Sequence, residues 1–369
     1  MAGNAGTGTA RELSVRLKRA LNRSAASVGG SCAGSSGGMA VILLIAVSVV
    51  ILLSFLLSKQ PVRTLQYFFL GPLRNTYYFG NMINSAVPLM FGGLGVAIAM
   101  QAGNFNLGGE GQIYSGAFVT AITAITLEPL GYFGAVIALA AGAFFSGGVA
   151  ALSGVCKVRW NTNELITTFL VSNALVLIIN YLITGPFLDP AANLQSTRKI
   201  PDAFHLPQIL PPSNLSAALI AAVIAVLLGQ LFLYRTKAGY ELRMCGLNLM
   251  FAKYGGISAG WSMTLSMFLS GAFYGAGGGM AVYGTYFSAI KEFSLGLGWN
   301  GLAVALIARS RPAGVIPAAI FFAWIGAGAR MAMQFSDVTF EIASIVQSVV
   351  FFLVTSTVLR DLFSKRSAV

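Results

Sequence analysis

Apolar stretches about as long as a bilayer is thick follow one another through most of this chain, and charge is nearly absent from them. A helix needs about 20 apolar residues to cross the hydrocarbon core of a membrane. Hydrophobic residues make up 56% of the 369-residue sequence and charged residues only 9%, where soluble domains carry about 25% charged residues. No soluble core could hide that much apolar surface, so the chain reads as an integral membrane protein. The stretches are continuous rather than alternating, which argues against a β-barrel and for an all-α fold. The 43 glycines suit helices whose backbones pack closely.

About ten membrane segments emerge, at roughly 39–57, 81–101, 113–127, 131–154, 164–184, 214–234, 261–286, 299–308, 314–333 and 340–358. The stretch 299–308 is too short to cross alone and reads as a half-helix. The domain division is a basic cytoplasmic N-terminal tail at 1–38, a transmembrane domain at 39–359 and a cytoplasmic C-terminal tail at 360–369. With the N-terminus inside, most of the 23 basic residues fall on the inner side, as the positive-inside rule requires, and both termini are cytoplasmic. A loop at about 185–212 lies outside; its many prolines predict a fixed, non-helical cap. Phe105-Asn106-Leu107-Gly108 resembles Phe293-Ser294-Leu295-Gly296, and Pro129-Leu130-Gly131 resembles Pro312-Ala313-Gly314. These echoes fit two halves of inverted topology with broken helices, an arrangement that places a cargo site at their interface.

The net charge of +12 suggests nucleic acid at first sight, but the positive charges sit in short connections, so membrane lipid is the expected partner and nucleic acid is not. Cys32, Cys156 and Cys245 are too scattered to form a metal site or disulfide framework, and His205 is the single histidine. No metal, cofactor or catalytic set is expected. The chain lacks a GK[ST] sequence, so any ATP drive must come from another subunit.

Four polar constellations remain. Gly103–Gln112 (GNFNLGGEGQ) interrupts the apolar pattern, and irregular backbone at membrane depth must be buried in protein or line a watery cavity. Asn104, Asn106, Glu110 and Gln112 either line a cargo path or bond neighbouring helices. Asn161, Asn163 and Glu164 open the fifth span, where Thr162 or Asn163 would cap the helix, and Asn173 lies deeper as glue between helices. The inner loop 235–258 holds a short stretch, Leu247–Tyr254, with one apolar face. Such a face needs a partner or lies flat on lipid. Trp299 and Asn300, near the outer mouth in this threading, suit a sugar or base ring, or an ordinary aromatic belt.

GNFNLGGEGQ resembles the FNIGGEGQ hallmark of permease subunits of ABC importers, in the branch serving nucleosides, simple sugars and riboflavin. Thr162–Thr168, Tyr234–Ile257 and Gly298–Arg309 agree with further stretches of that family, in the same order. The resemblance implies a permease in a bacterial inner membrane, paired with a second permease, two cytoplasmic ATP-binding subunits and an extracytoplasmic binding protein. It assigns ATPase coupling to Gly246, Leu247, Asn248, Phe251, Tyr254, Gly255 and Gly256. It implies a substrate pathway around Asn104–Gln112 and Trp299–Asn300. The alternative is an ion-coupled secondary transporter of the same type of solute, with Glu110 or Glu164 as the carrier acid.

Overall fold

The computed structural model describes residues 58–337 continuously, with 47–52 and 54–56 before them and isolated positions after 340. The N-terminal tail, most of the expected last span and the C-terminal tail lie outside the described residues. The helices are α1 (Val47–Leu56), α2 (Pro61–Leu70), α3 (Thr76–Gln101), α4 (Gly109–Thr126), α5 (Tyr132–Trp160), α6 (Glu164–Thr184), α7 (Ala218–Arg235), α8 (Lys237–Leu247), α9 (Leu249–Tyr254), α10 (Ala259–Ala281), α11 (Leu297–Ile307) and α12 (Pro312–Phe335). The described chain is helical, with two isolated antiparallel bridges, Ser196–Ile290 and Gln208–Ser216.

Polar residues set the helix starts. Asn75, Asn163, Thr236 and Asn248 each accept a hydrogen bond from a backbone N–H in the first turn of the helix that follows. Each such cap satisfies a donor that the helix itself leaves free. Pro61 and Pro312 occupy first positions of α2 and α12, where the missing N–H costs nothing.

Among the described residues six helices are long and apolar enough to cross a membrane: α3, α5, α6, α7, α10 with its extension to Tyr286, and α12. The ten-span reading differs for identifiable reasons. Segment 113–127 is α4, but that helix starts earlier, at Gly109, and takes up the polar residues Glu110 and Gln112. Segment 299–308 is α11, 11 residues long. At 1.5 Å per residue it covers about 16 Å, half of a ~30 Å core. The first and last segments fall wholly or partly outside the described residues.

α3 is the central helix. Every residue from Ala86 to Ala99 is buried, as expected of a helix apolar on all sides. It packs against α10, α11 and α12 in one large cluster that includes Met90, Leu94, Ile98, Val304 and Phe322. α5, α6 and α7 stand at the periphery and turn apolar side chains such as Phe133, Phe144, Leu177 and Leu227 outward. Asn173 belongs to this outer surface. It is exposed and bonds the Phe169 carbonyl of its own helix, so it is not the interhelical glue expected of it.

At one end of the bundle the proline-rich segment forms the expected cap, irregular apart from the 3-10 turn Asp202–Phe204. Its backbone bonds to the stretch 283–291 through Thr197 to Ala289, Ile200 to Phe287, Leu206 to Tyr283 and Lys291 to Gln195. At the opposite end lie α8 and α9. The expected single stretch Leu247–Tyr254 is divided there: Leu247 ends α8, and Asn248, in extended conformation, caps α9.

Glycine sets how closely α4 and α10 approach. A Cβ on Gly116 would lie 2.3 Å from the Gly275 Cα, and one on Gly278 would lie 2.1 Å from the Ile113 carbonyl oxygen. Both obstacles are backbone, which cannot swing aside. Gly278→Val is therefore expected to force α4 and α10 apart and cost about 1–3 kcal/mol or more. Size-exclusion chromatography of the detergent-extracted protein should show loss of the monodisperse peak; a peak and melting temperature like those of the unsubstituted chain would refute this account.

Candidate functional site

Between α3 and α4 the chain leaves helical conformation for residues 102–108. Two rows of hydroxyls hold this stretch, one bonding backbone N–H groups and the other side-chain amides. From α6, Thr168 accepts from the Leu107 N–H at 3.2 Å and Ser172 accepts from the Gly111 N–H at 2.8 Å. From α10, Ser266 and Ser270 accept from the side-chain amides of Asn104 and Asn106 at 2.7 and 2.9 Å. Each row is spaced four residues apart, one helical turn, and so presents two hydroxyls on one face.

Asn104, Asn106 and Gln112 are fully or almost fully buried. The Asn106 amide donates to Gln112 Oε1 and Ser270, and its oxygen accepts from the Gly108 N–H and Gln112 Nε2. That uses its whole hydrogen-bonding capacity. The Asn104 oxygen accepts from Lys157 Nζ at 2.7 Å. Lys157 also pairs with Glu164 at 2.6 Å, tying the end of α5 to the start of α6. Of the two candidate caps of α6, Asn163 does the work, accepting from the Leu165 N–H.

Glu110 joins the starts of α4 and α11. It lies in the first turn of α4, and its Oε2 accepts from the Gly298 N–H in the first turn of α11 at 3.0 Å. A Cβ on Gly298 would stand 2.2 Å from the Glu110 nitrogen, so the two helix starts touch. Each start carries about half a positive charge. One carboxylate therefore serves two helix N-termini. Tyr274 of α10 buttresses the junction. It is wholly buried among Gly92, Gly109 and Gly301, and its hydroxyl donates to the Gly298 carbonyl at 2.9 Å.

Trp299 packs on Phe169, ring centres 6.2 Å apart, near the Glu164 end of α6. It is therefore remote from the proline-rich cap, and the expected outer-mouth position of Trp299 and Asn300 is corrected. The cause is the segment 287–296, a bend followed by turns, which carries the chain away from the cap before α11 begins.

A cavity of about 420 Å³ opens between α3, the end of α10 and α12. Its polar lining is Asn81, Asn84, Ser85, Asn214, Thr285, Tyr286 and Arg330, and Leu297 brings it to the junction. None of the sequence-selected pathway residues lines it. Pro88 lines it too and has no N–H to offer the Asn84 carbonyl one turn back. Next to it the helix widens into a π-turn, Val282–Tyr286, a feature common at functional sites. The sequence did carry a signal: asparagines near the start of an apolar span and an arginine within another are unusual at membrane depth.

At the α8–α9 end, Leu247, Phe251 and Tyr254 are 79%, 60% and 86% exposed. Gly255 follows α9, and Gly256 turns the chain at φ +77°. Gly246 touches the junction loop: a Cβ there would sit 2.2 Å from the Gln101 carbonyl oxygen and 2.9 Å from the Gly103 nitrogen. The exposed apolar surface is thus linked through backbone contact to the broken-helix loop. Among the described residues no cluster of His, Cys, Asp or Glu could hold a metal ion.

The sequence matches the family described as branched-chain amino acid transport system, permease component, over residues 78–355. It is 32% identical to the probable riboflavin import permease protein of Treponema pallidum, across 86% of this chain and 84% of that one. It is 30% identical to a guanosine ABC transporter permease protein of Bacillus subtilis, across 78% and 83%. A glucose ABC transporter permease protein of Haloferax volcanii is 29% identical, across 81% and 82%. No solved structure matches the chain significantly.

If Glu110 holds the junction, Glu110→Ala leaves the buried Gly298 N–H unpaired and should cost about 1–3 kcal/mol. Glu110→Gln keeps an acceptor but loses the charge and should cost less, about 0.3–2 kcal/mol. Thermal unfolding of the purified variants should rank the chains as Glu, then Gln, then Ala; equal melting temperatures would remove the junction role.

Proposed function

This chain belongs to the family of branched-chain amino acid transport system permease components, and from that premise we propose that it forms the cargo path of an ATP-driven importer for a polar, ring-containing nutrient. The observation that carries the reading is the cavity lined by polar side chains and ending at the broken-helix junction. A transporter needs a polar cavity near the middle of the membrane, bounded by helix ends. Riboflavin, guanosine and glucose are the cargoes named for its relatives; a nucleoside or simple sugar comes first, riboflavin next.

In this reading the proline-rich cap faces outward and α8–α9 face the cytoplasm, with both termini inside. The domain division at 38 and 359 goes with it. The position of the two matching tetrapeptides supports inverted halves: Phe105–Gly108 and Phe293–Gly296 both end at the N-cap glycine of a helix, α4 and α11. A second permease, of this or a related chain, completes the path, and an external binding protein delivers cargo to the cap.

ATP-binding subunits dock on Leu247, Phe251 and Tyr254. Gly246, Asn248, Gly255 and Gly256 shape that surface. Closure of the ATPases pushes α8–α9, and the Gly246–Gly103 contact passes the movement to the junction. Asn104, Asn106, Glu110 and Gln112 then govern the path as its hinge, and Trp299 and Asn300 move with α11. The ion-coupled alternative is not favoured, since Glu110 is bonded to Gly298 and Glu164 to Lys157.

Phe251→Asp puts a charge into the docking surface and should lower ATP-driven uptake by about tenfold or more, equivalent to 1.4 kcal/mol, while the chain stays folded in the membrane. Gly246→Val should push α8 off the Gln101–Gly103 backbone and separate ATP hydrolysis from uptake. Reconstituted proteoliposomes with the partner ATPase measure both; full uptake by the two variants would refute the coupling route.

A further inference from the structure

We infer that Arg330 is the specificity-determining residue of the cavity and that it reads a ring edge bearing two adjacent hydrogen-bond acceptors, a carbonyl oxygen beside a ring nitrogen. This rests on the reading of the cavity as the cargo path and goes further by choosing among ring chemistries.

Arg330 lies within α12, one of the apolar helices, five residues before its end. A cation in such a place is costly and faces either a partner or a watery cavity. Among the described residues Arg330 makes no ion pair and no hydrogen bond, and it is exposed where it lines the cavity. Its planar fork of donors is thus available there, and that geometry suits a pair of acceptors far better than one. No acid lines the cavity to neutralise it.

The rest of the wall suits a flat heterocycle. Tyr286 and Phe293 present two rings whose centres are 5.1 Å apart. Asn84 and Asn81 are already held in place, the first donating to Thr285 Oγ1 and the second accepting from the Asn214 N–H, both at 2.9 Å. That leaves the Asn84 oxygen as an acceptor and the Asn81 amide as a donor toward the cavity. A volume of about 420 Å³ is within the usual range for small-molecule sites.

The acceptor pair occurs as O6 and N7 of a 6-oxopurine and as O4 and N5 of an isoalloxazine. Adenine has a donor amine where guanine has O6, and glucose has no such edge. Arginine discriminates the guanine edge from others by about tenfold or more.

The test is equilibrium dialysis of the full-length chain in lipid nanodiscs against labelled guanosine, riboflavin, adenosine and glucose, each up to its solubility limit. Guanosine or riboflavin should bind about tenfold more tightly than adenosine. Arg330→Gln should bring that ratio close to one, and Arg330→Lys, a charge without the fork, should do the same. Size-exclusion profiles check that both variants fold. A ratio that survives Arg330→Gln, equal binding of guanosine and adenosine by the unsubstituted chain, binding of glucose alone, or no binding at all would each overturn the inference. ATP-driven uptake by the complete importer is measured in parallel: uptake without the Arg330 effect leaves the importer reading standing, and absence of ATP-driven uptake of all four solutes defeats that reading itself.

Discussion

Two helix N-termini meet inside this molecule, and one carboxylate lies between them. The starts of α4 and α11 carry like partial charges and unsatisfied N–H groups. Left alone they would repel, and their donors would be costly in an interior without water. Glu110 answers both demands through its place in the first turn of α4 and its bond to Gly298. Gly298 lets the two backbones come close enough for that bond. The position of α11, and with it the floor of the cavity at Leu297, follows from this contact.

Around this point the fold divides its polar residues into two groups. Asn106 and Gln112 bond each other, and Asn104 and Asn106 spend their remaining capacity on α10, Lys157 and the Gly108 N–H. They make irregular backbone tolerable at membrane depth. Asn81, Asn84 and Arg330 keep donors or acceptors for the cavity. A residue that is saturated internally can hold a shape, whereas one with spare capacity can also receive a ligand. The junction borders both regions: Glu110 and Gly298 form it beside the buried set, and Leu297 next to Gly298 lines the cavity. Gly246 connects the loop before α4 to the exposed surface of α8 and α9.

Much of the fold is readable from the chain because a membrane imposes simple rules. Apolar length predicted α3, α5, α6, α7, α10 and α12 closely, and the shortness of 299–308 predicted a helix unable to cross. Asn163 was legible as one of two caps. The exposed apolar side chains at Leu247, Phe251 and Tyr254 followed from their spacing. The division at Asn248 did not, because a single extended residue leaves no trace in a helical pattern.

Sequence alone determined that the chain enters a membrane as a set of helices and that a glycine-rich polar motif interrupts its apolar pattern, because composition and local spacing encode those properties directly. Only the tertiary structure decided which polar residues are saturated and which face open space. Ser266 and Ser270 lie more than 150 residues from the asparagines they bond, and Arg330 shares a wall with Asn81 across a still longer gap in the chain. Hydrogen bonding and cavity lining are set by proximity in space, and proximity between distant segments depends on how all the helices pack together.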